Sequence, residues 1–182
     1  MRPPQYALVA YVKCPVGGLV ESLRREFHPT QAHLPAHFSI LPPRVLHGSE
    51  AEAVGLVERV CREVDPFEIV LGDVATFIPA TPTVFIRVAH AAYRMRELHD
   101  RVNVGPLRAE EQWPYMPHLT IFRMDSVEQA TSALEEARRR WESFSESRRV
   151  LIDRLTFVRE AGCNSWVDLA PIFLGRRLAP TC

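Results

Sequence analysis

Lysine is nearly absent from this chain: of 22 basic side chains, Lys13 alone is not an arginine. Chemistry that needs an amine nucleophile therefore has one candidate. Glycine is scarce too, 8 residues in 182, and only Gly17 and Gly18 are adjacent. No G-x-x-x-x-G-K-[ST], G-x-G-x-x-G or G-x-S-x-G occurs, which excludes a P-loop, a dinucleotide fingerprint and a nucleophile elbow. Excess charge is also missing, since 22 acidic groups balance the 22 basic ones. Without a broad positive field, no long duplex DNA is expected as a partner. No run of eighteen apolar residues exists, so no membrane partner is expected either. Cys14, Cys61, Cys163 and Cys182 form neither a C-x-x-C pair nor a dense scaffold, and no secretory h-region opens the chain. A reducing, cytoplasmic setting is the expectation.

What is present is ordinary for a globular protein, 47% apolar and 24% charged residues. A single bilobal domain over residues 1–182 is expected. A strand over Tyr6–Val12 precedes Pro15 and the Gly17-Gly18 breaker, after which Leu19, Leu23 and Phe27 recur at helical spacing. His37–Leu41 reads as a short strand stopped by Pro42-Pro43. Ser49–Val64 reads as a helix opened by a capping box, Ser49 with Glu52. Phe67–Ile78 and Thr83–Ala89 predict a hairpin, and 90–104 a helix closed by Gly105-Pro106. Beyond a loop, His118–Met124 predicts a strand, Ser126–Ser143 a helix, and Val150–Val158 and Ser165–Ile172 two more strands.

This order contains an internal repeat. His37-Phe38-Ser39-Ile40 recurs 81 positions later as His118-Leu119-Thr120-Ile121, and Asp73–Phe77 (DVATF) recurs at Asp153–Phe157 (DRLTF). Ala89 and Ala170 end the paired hairpins at the same offset. The expected fold is α+β and bilobal, from duplicated β-α-β-β units related by a pseudo-twofold, with two antiparallel sheets lining a central cleft.

Strand alternation turns His37 and Ser39 to one face and Phe38 and Ile40 to the other, with His118 and Thr120 doing the same. Two imidazoles and two hydroxyls would then floor the cleft. One neutral histidine can act as base while its twin, protonated, acts as acid, and the hydroxyls can donate to phosphoryl oxygens. A lone His-x-Ser in a strand is usually structural. Its recurrence with the hydroxyl, where the surrounding sequence has drifted, argues for chemistry.

Two H-x-[S/T]-h motifs, the second as Pro117-His118-Leu119-Thr120-Ile121 closed by Arg123, resemble the 2H phosphoesterase superfamily, which includes 2′-5′ RNA ligase and cyclic phosphodiesterase families. His37-Phe38-Ser39-Ile40-Leu41-Pro42-Pro43 is similar to the H-[I/F]-[T/S]-L-L-P-P form of one branch. The resemblance implies a bilobal fold and catalysis without metal or cofactor. It implies hydrolysis of 2′,3′-cyclic or 2′-5′ phosphodiester linkages in a nucleotide or RNA terminus, with reversible 2′-5′ ligation as the same chemistry run with a ribose hydroxyl. His37 and His118 would be the acid/base pair, Ser39 and Thr120 the phosphate-binding hydroxyls. The alternative is a module that binds a nucleotide or RNA end without turning it over.

Around the motifs, Arg123 and Arg44 are candidate phosphate clamps, although alternation would turn Arg123 away from His118. Trp113 and Tyr115 are candidate stacking residues. Phe77, Phe85, Phe157 and Trp166 read as sheet core, and His90 and His99 as the wet face of a helix. His33 and His37 are four apart, but Pro35 makes a helical metal pair improbable, and no metal site is expected.

Overall fold

Three α-helices begin where the sequence supplies a proline or a side-chain cap. The computed structural model describes residues 3–162 and 164–176, so Cys163 and Cys182 lie outside the described residues, while Cys14 and Cys61 are free thiols. The chain runs β1 (Tyr6–Tyr11), α1 (Pro15–Phe27), β2 (His37–Arg44), α2 (Glu50–Arg62), β3 (Phe67–Thr76), β4 (Thr83–His90) and α3 (Ala92–Val102). It continues with β5 (His118–Arg123), α4 (Val127–Glu142), β6 (Arg149–Ile152), β7 (Arg154–Gly162) and β8 (Ser165–Phe173). The Ser49 capping box forms at α2, and Ser126 caps α4 by accepting from the Gln129 N–H. Pro15 opens α1, and the Gly17-Gly18 pair expected to break the chain is inside its first turn. Proline suits that position because its missing N–H is one the helix would leave unpaired. Gly17 is there for space: a Cβ on it would lie 2.0 Å from the Val12 carbonyl oxygen.

Two strand expectations are corrected. The stretch Val150–Val158 is two strands, separated at Asp153; β6 pairs with β3, whereas β7 pairs with β1. Pro42-Pro43 does not end β2, which continues to Arg44. The pairing of β1 with β2 is irregular there, with register shifts after Val9↔Ser39 and after Leu8↔Leu41. A disrupted ladder tolerates a residue without an N–H.

The pairing also corrects the two-sheet expectation. The eight strands among the described residues form one antiparallel sheet in the order β6-β3-β4-β5-β2-β1-β7-β8, with β2 and β5 joined at Phe38↔Leu119. Counting outward from that seam, β2-β1-β7-β8 faces β5-β4-β3-β6. The hairpin-to-hairpin correspondence read from the sequence is therefore only half right: β3 matches β7, but β4 occupies the place of β1, and β8 is an edge strand. Ala89 and Ala170 are not equivalents.

Apolar side chains from one sheet face meet the helices. Leu8, Phe38, Ile40, Leu119, Ile121 and Ile86 share one buried cluster with Val20 and Leu23 of α1, Val57 of α2, Leu98 of α3 and Ala137 of α4. Helices cross the seam, α1 against β5 and α3 against β2. The opposite face carries a smaller cluster, Ala7, Val9 and Val158, under Tyr11 and Trp166.

Paired substitutions in α1 test this packing. Gly17→Ala must push against backbone and is expected to destabilise by about 1–3 kcal/mol, the ordinary range for overpacking. Gly18→Ala meets nothing within 4 Å and is expected to stabilise by up to about 1 kcal/mol through helix propensity. Urea denaturation of both variants checks the pair.

Candidate active site

The seam register sets the site. With Phe38 opposite Leu119, antiparallel pairing puts His37 across from Thr120 and Ser39 across from His118. Phe38 and Leu119 are fully buried on the helix side, so the four polar side chains share the other face. Directly opposed Cβ atoms lie about 4.5–5.5 Å apart and diagonal ones, as for the two histidines, about 7–8 Å. That span accommodates a phosphate.

Each imidazole is held the same way. Nδ1 of His37 bonds the Pro35 carbonyl at 2.8 Å, and Nδ1 of His118 bonds the Met116 carbonyl at 2.7 Å. A carbonyl only accepts, so Nδ1 carries the hydrogen and Nε2 is left with its lone pair. Burial lowers the pKa of both rings; for His37 the charges of Arg24 and His118 lower it further, against the Pro35 bond. His118 meets Phe77 and Phe85 edge-on, both with ring centroids 5.1 Å away, and His37 meets Tyr11 edge-on at 6.4 Å.

The two motif strands share a distortion that the sequence did not reveal. On β5, Thr120 pairs with Phe85 but Phe122 with Val84, leaving Ile121 as an extra residue. On β2, Ser39 pairs with Val9 but Leu41 with Leu8, leaving Ile40 extra. Each bulge puts two consecutive residues into the core and resets the alternation. Arg123 thereby lies level with Thr83, on the face of Phe85 and His118, from which strict alternation would have turned it. It is exposed, and the Gln31 amide brackets its backbone N–H and C=O. Arg87, not considered in the sequence reading, pairs across from His118 on the same face and is exposed. The alternating Phe85-Ile86-Arg87 pattern was the available signal. Neither guanidinium has a hydrogen-bond or ion-pair partner among the described residues.

Two other candidates are structural braces. Arg44 is buried, and its guanidinium donates to the Pro42 and Leu107 carbonyls, the Asn103 side chain and Glu111, the last at 2.6 Å. It cannot also clamp a substrate. Tyr115 stacks on His99 at 4.2 Å and donates its hydroxyl to the Ser39 carbonyl. His99, expected on a wet helix face, is buried and also bonds Glu111. Trp113 stands 66% exposed in the same loop. A counterpart comes from α1: Arg24, buried and with its pKa lowered to about 10 by desolvation, donates to the carbonyls of Leu34, Thr120 and Ile121. Each motif is thus braced by a side chain from the segment that precedes the other.

A cavity of about 1070 Å³ opens beside the seam. His37 and Ser39 line it together with Tyr11, Trp166 and Asp168, over the Ala7, Val9 and Val158 floor. Trp166 is therefore a wall of the cleft, not the sheet core expected for it; Phe85 and Phe157 are buried. On the other side of the seam, Phe77 stacks on Phe85 at 4.1 Å. The two sides differ: one is hollow, the other filled with aromatic rings. His33 bonds the Asn164 carbonyl at 3.1 Å, joining the loop before β2 to the tip of the β7–β8 hairpin. No described helix is long and apolar enough to cross a membrane.

An α+β fold with one curled antiparallel sheet and helices packed on one face is also the fold of solved phosphoesterase structures. Escherichia coli LigT complexed with phosphate matches with a TM-score of 0.65 and 13% identity, over 96% of this chain and all of that one. LigT complexed with 3′-AMP matches at 0.62, again with 13% identity, over 96% of this chain and all of that one. In sequence, BH1439 of Halalkalibacterium halodurans, which carries a provisional phosphoesterase name, is 25% identical over 94% of this chain and 98% of its own. The model of the 2′-5′ RNA ligase superfamily matches residues 12–164, and the chain belongs to that family.

The lowered histidines give a measurable expectation. Titration of the His37 and His118 ring protons by NMR, without phosphate, is expected to give midpoints below the usual value of about 6.5 for both. Between that value and the lowered folded one the unfolded chain binds more protons, so stability should fall as pH falls through this window. Midpoints at or above the usual value would mean that the rings are as well solvated as in a peptide.

Proposed function

We propose that the protein is a metal-independent phosphodiesterase that hydrolyses 2′,3′-cyclic or 2′-5′ linkages in a nucleotide or RNA terminus. The observation that carries this reading is the four-residue cluster at the seam: two imidazoles with outward Nε2 atoms and two hydroxyls on one face, close enough to share one phosphate. Family membership supports phosphoester chemistry, and the LigT structures with phosphate, 3′-AMP and ATP support a nucleotide as the ligand.

In this reading one histidine takes a proton from water as its oxygen attacks phosphorus. The other gives a proton to the departing ribose oxygen, and Ser39 and Thr120 donate to the nonbridging oxygens. Arg87 and Arg123 offset the phosphate's charge from the β4–β5 side. Run with a 5′-hydroxyl in place of water, the same steps join RNA ends. Water, at about 55 M, prevails unless the end is bound tightly, and a chain without net charge favours hydrolysis.

Both rings favour the neutral form, so the acid must acquire its proton as the anion arrives. Calorimetry of 3′-AMP binding in buffers of different ionisation enthalpy is expected to show proton uptake near pH 7. On nucleoside 2′,3′-cyclic phosphates in EDTA, kcat/KM is expected to follow a bell in pH. His37→Ala and His118→Ala should each lower it by about 10²–10⁴-fold, the usual worth of a proton-transfer partner. Full activity in either variant would refute the paired roles, and binding without turnover by the unaltered protein would make it a nucleotide-binding module instead.

A further inference from the structure

The hollow side of the cleft has a chemistry of its own. Tyr11 stands edge-on to His37 and donates its hydroxyl to Asp168 Oδ1 at 2.6 Å. Burial, with Asp168 as a second cause, raises the Tyr11 pKa, which keeps it a phenol and therefore a donor. Trp166 and Asp168 are two apart on β8, opposite Glu160 and Val158 in regular register, so they share the cleft face. The cavity wall thus combines an apolar floor, an indole and a carboxylate that the Tyr11 phenol links to His37.

We propose that this cavity is a guanine-selecting base site, with the ring laid on Trp166 and its adjacent N1–H and N2–H donors bound by the Asp168 carboxylate. The proposal rests on the reading that a nucleotide phosphate sits between the histidines, and it adds which base accompanies that phosphate. An ionised carboxylate has about four lone-pair sites and no donor. Tyr11 fills one of them, which leaves both oxygens able to accept. Guanine is the common base whose Watson–Crick edge presents two neighbouring donors. Adenine and cytosine set a ring acceptor beside their donor, and uracil flanks its single N–H with acceptors, so each would face the carboxylate with at least one lone pair. Stacking on an indole is indifferent to the base and supplies affinity; the carboxylate supplies the choice.

Charge on the cavity wall agrees with this orientation. Among the described residues its carboxylates are Asp168 and Glu21, the latter accepting from the Ala36 N–H at 3.1 Å, and its one lysine or arginine is Lys13. Arg87 and Arg123 are across the seam. A nucleotide therefore enters with its base on the β8 side and any further phosphates toward the arginines.

The test is calorimetric binding of 3′-GMP, 3′-AMP, 3′-CMP and 3′-UMP to the full-length protein, Asp168→Asn and Trp166→Leu, with thermal unfolding to verify that each variant folds. 3′-GMP is expected to bind the unaltered protein about ten-fold or more tighter than the others, the discrimination of one bidentate contact. Asp168→Asn replaces an acceptor pair by one acceptor and one donor, so the order should invert in favour of 3′-AMP or 3′-CMP. Trp166→Leu should weaken all four alike. Affinities within two-fold of one another, an equal loss for every base in Asp168→Asn, or tighter binding of phosphocholine than of 3′-GMP would overturn the proposal. Equal turnover of all four 2′,3′-cyclic nucleotides with no order in binding would sink base selection alone and leave the phosphodiesterase reading intact. Ordered binding without turnover would do the reverse.

Discussion

One backbone pairing, Phe38 with Leu119, brings the two motif strands together at the middle of the sheet. Everything polar at the site is referred to it. Because the pair is antiparallel and its two side chains are buried on the helix side, the neighbours on both strands have to face the cleft. Each histidine is then set beside the other strand's hydroxyl. A slip of one residue on either strand would drive an imidazole into the apolar core and lift a phenylalanine or leucine into the cleft, at the cost of burying an unpaired polar group. The hydrophobic effect that fixes Phe38 and Leu119 is thus the same force that aims the histidines.

Around that pairing the structure invests in position more than in charge. Polar side chains grip backbone carbonyls of the motif strands, buried Arg24 those of Thr120 and Ile121, and half-buried Tyr115 that of Ser39. Carbonyls also fix both imidazole tautomers. The bulges after Ser39 and Thr120 hand the next two residues to the core, which anchors each motif on its far side. The symmetry of these devices stops at the walls of the cleft. Aromatic rings fill the side next to His118, and a cavity opens next to His37, so a nearly symmetric pair of histidines stands in an asymmetric cleft.

Much of this was readable in the sequence because it is periodic. His-x-Ser and His-x-Thr declare their shared face through strand alternation, the capping box declares the start of α2, and the repeat places the motifs in equivalent strands. What was illegible depends on contacts between distant segments. Nothing local separates an arginine that clamps phosphate from one that binds Glu111, and Arg44 proved to be the latter. Tyr115 reads as a base-stacking candidate and His99 as a wet-face residue because the stack between them forms only in three dimensions. Alternation alone would turn Arg123 away from His118, since a bulge leaves no mark on composition. The single run Val150–Val158 hid a strand break, and the repeat pointed to two sheets where the described strands form one.

The order of strands within that sheet has a consequence for how the molecule can be divided. β3 crosses to join β4 and β5, and β7 crosses to join β1 and β2. A cut between β3 and β4 would give one fragment holding β1, β2 and β3 and another holding the rest, each with strands committed to both sides of the seam. Neither fragment could complete a side by itself. The two sides are interlocked like clasped hands, so neither can be excised without taking a strand from the other.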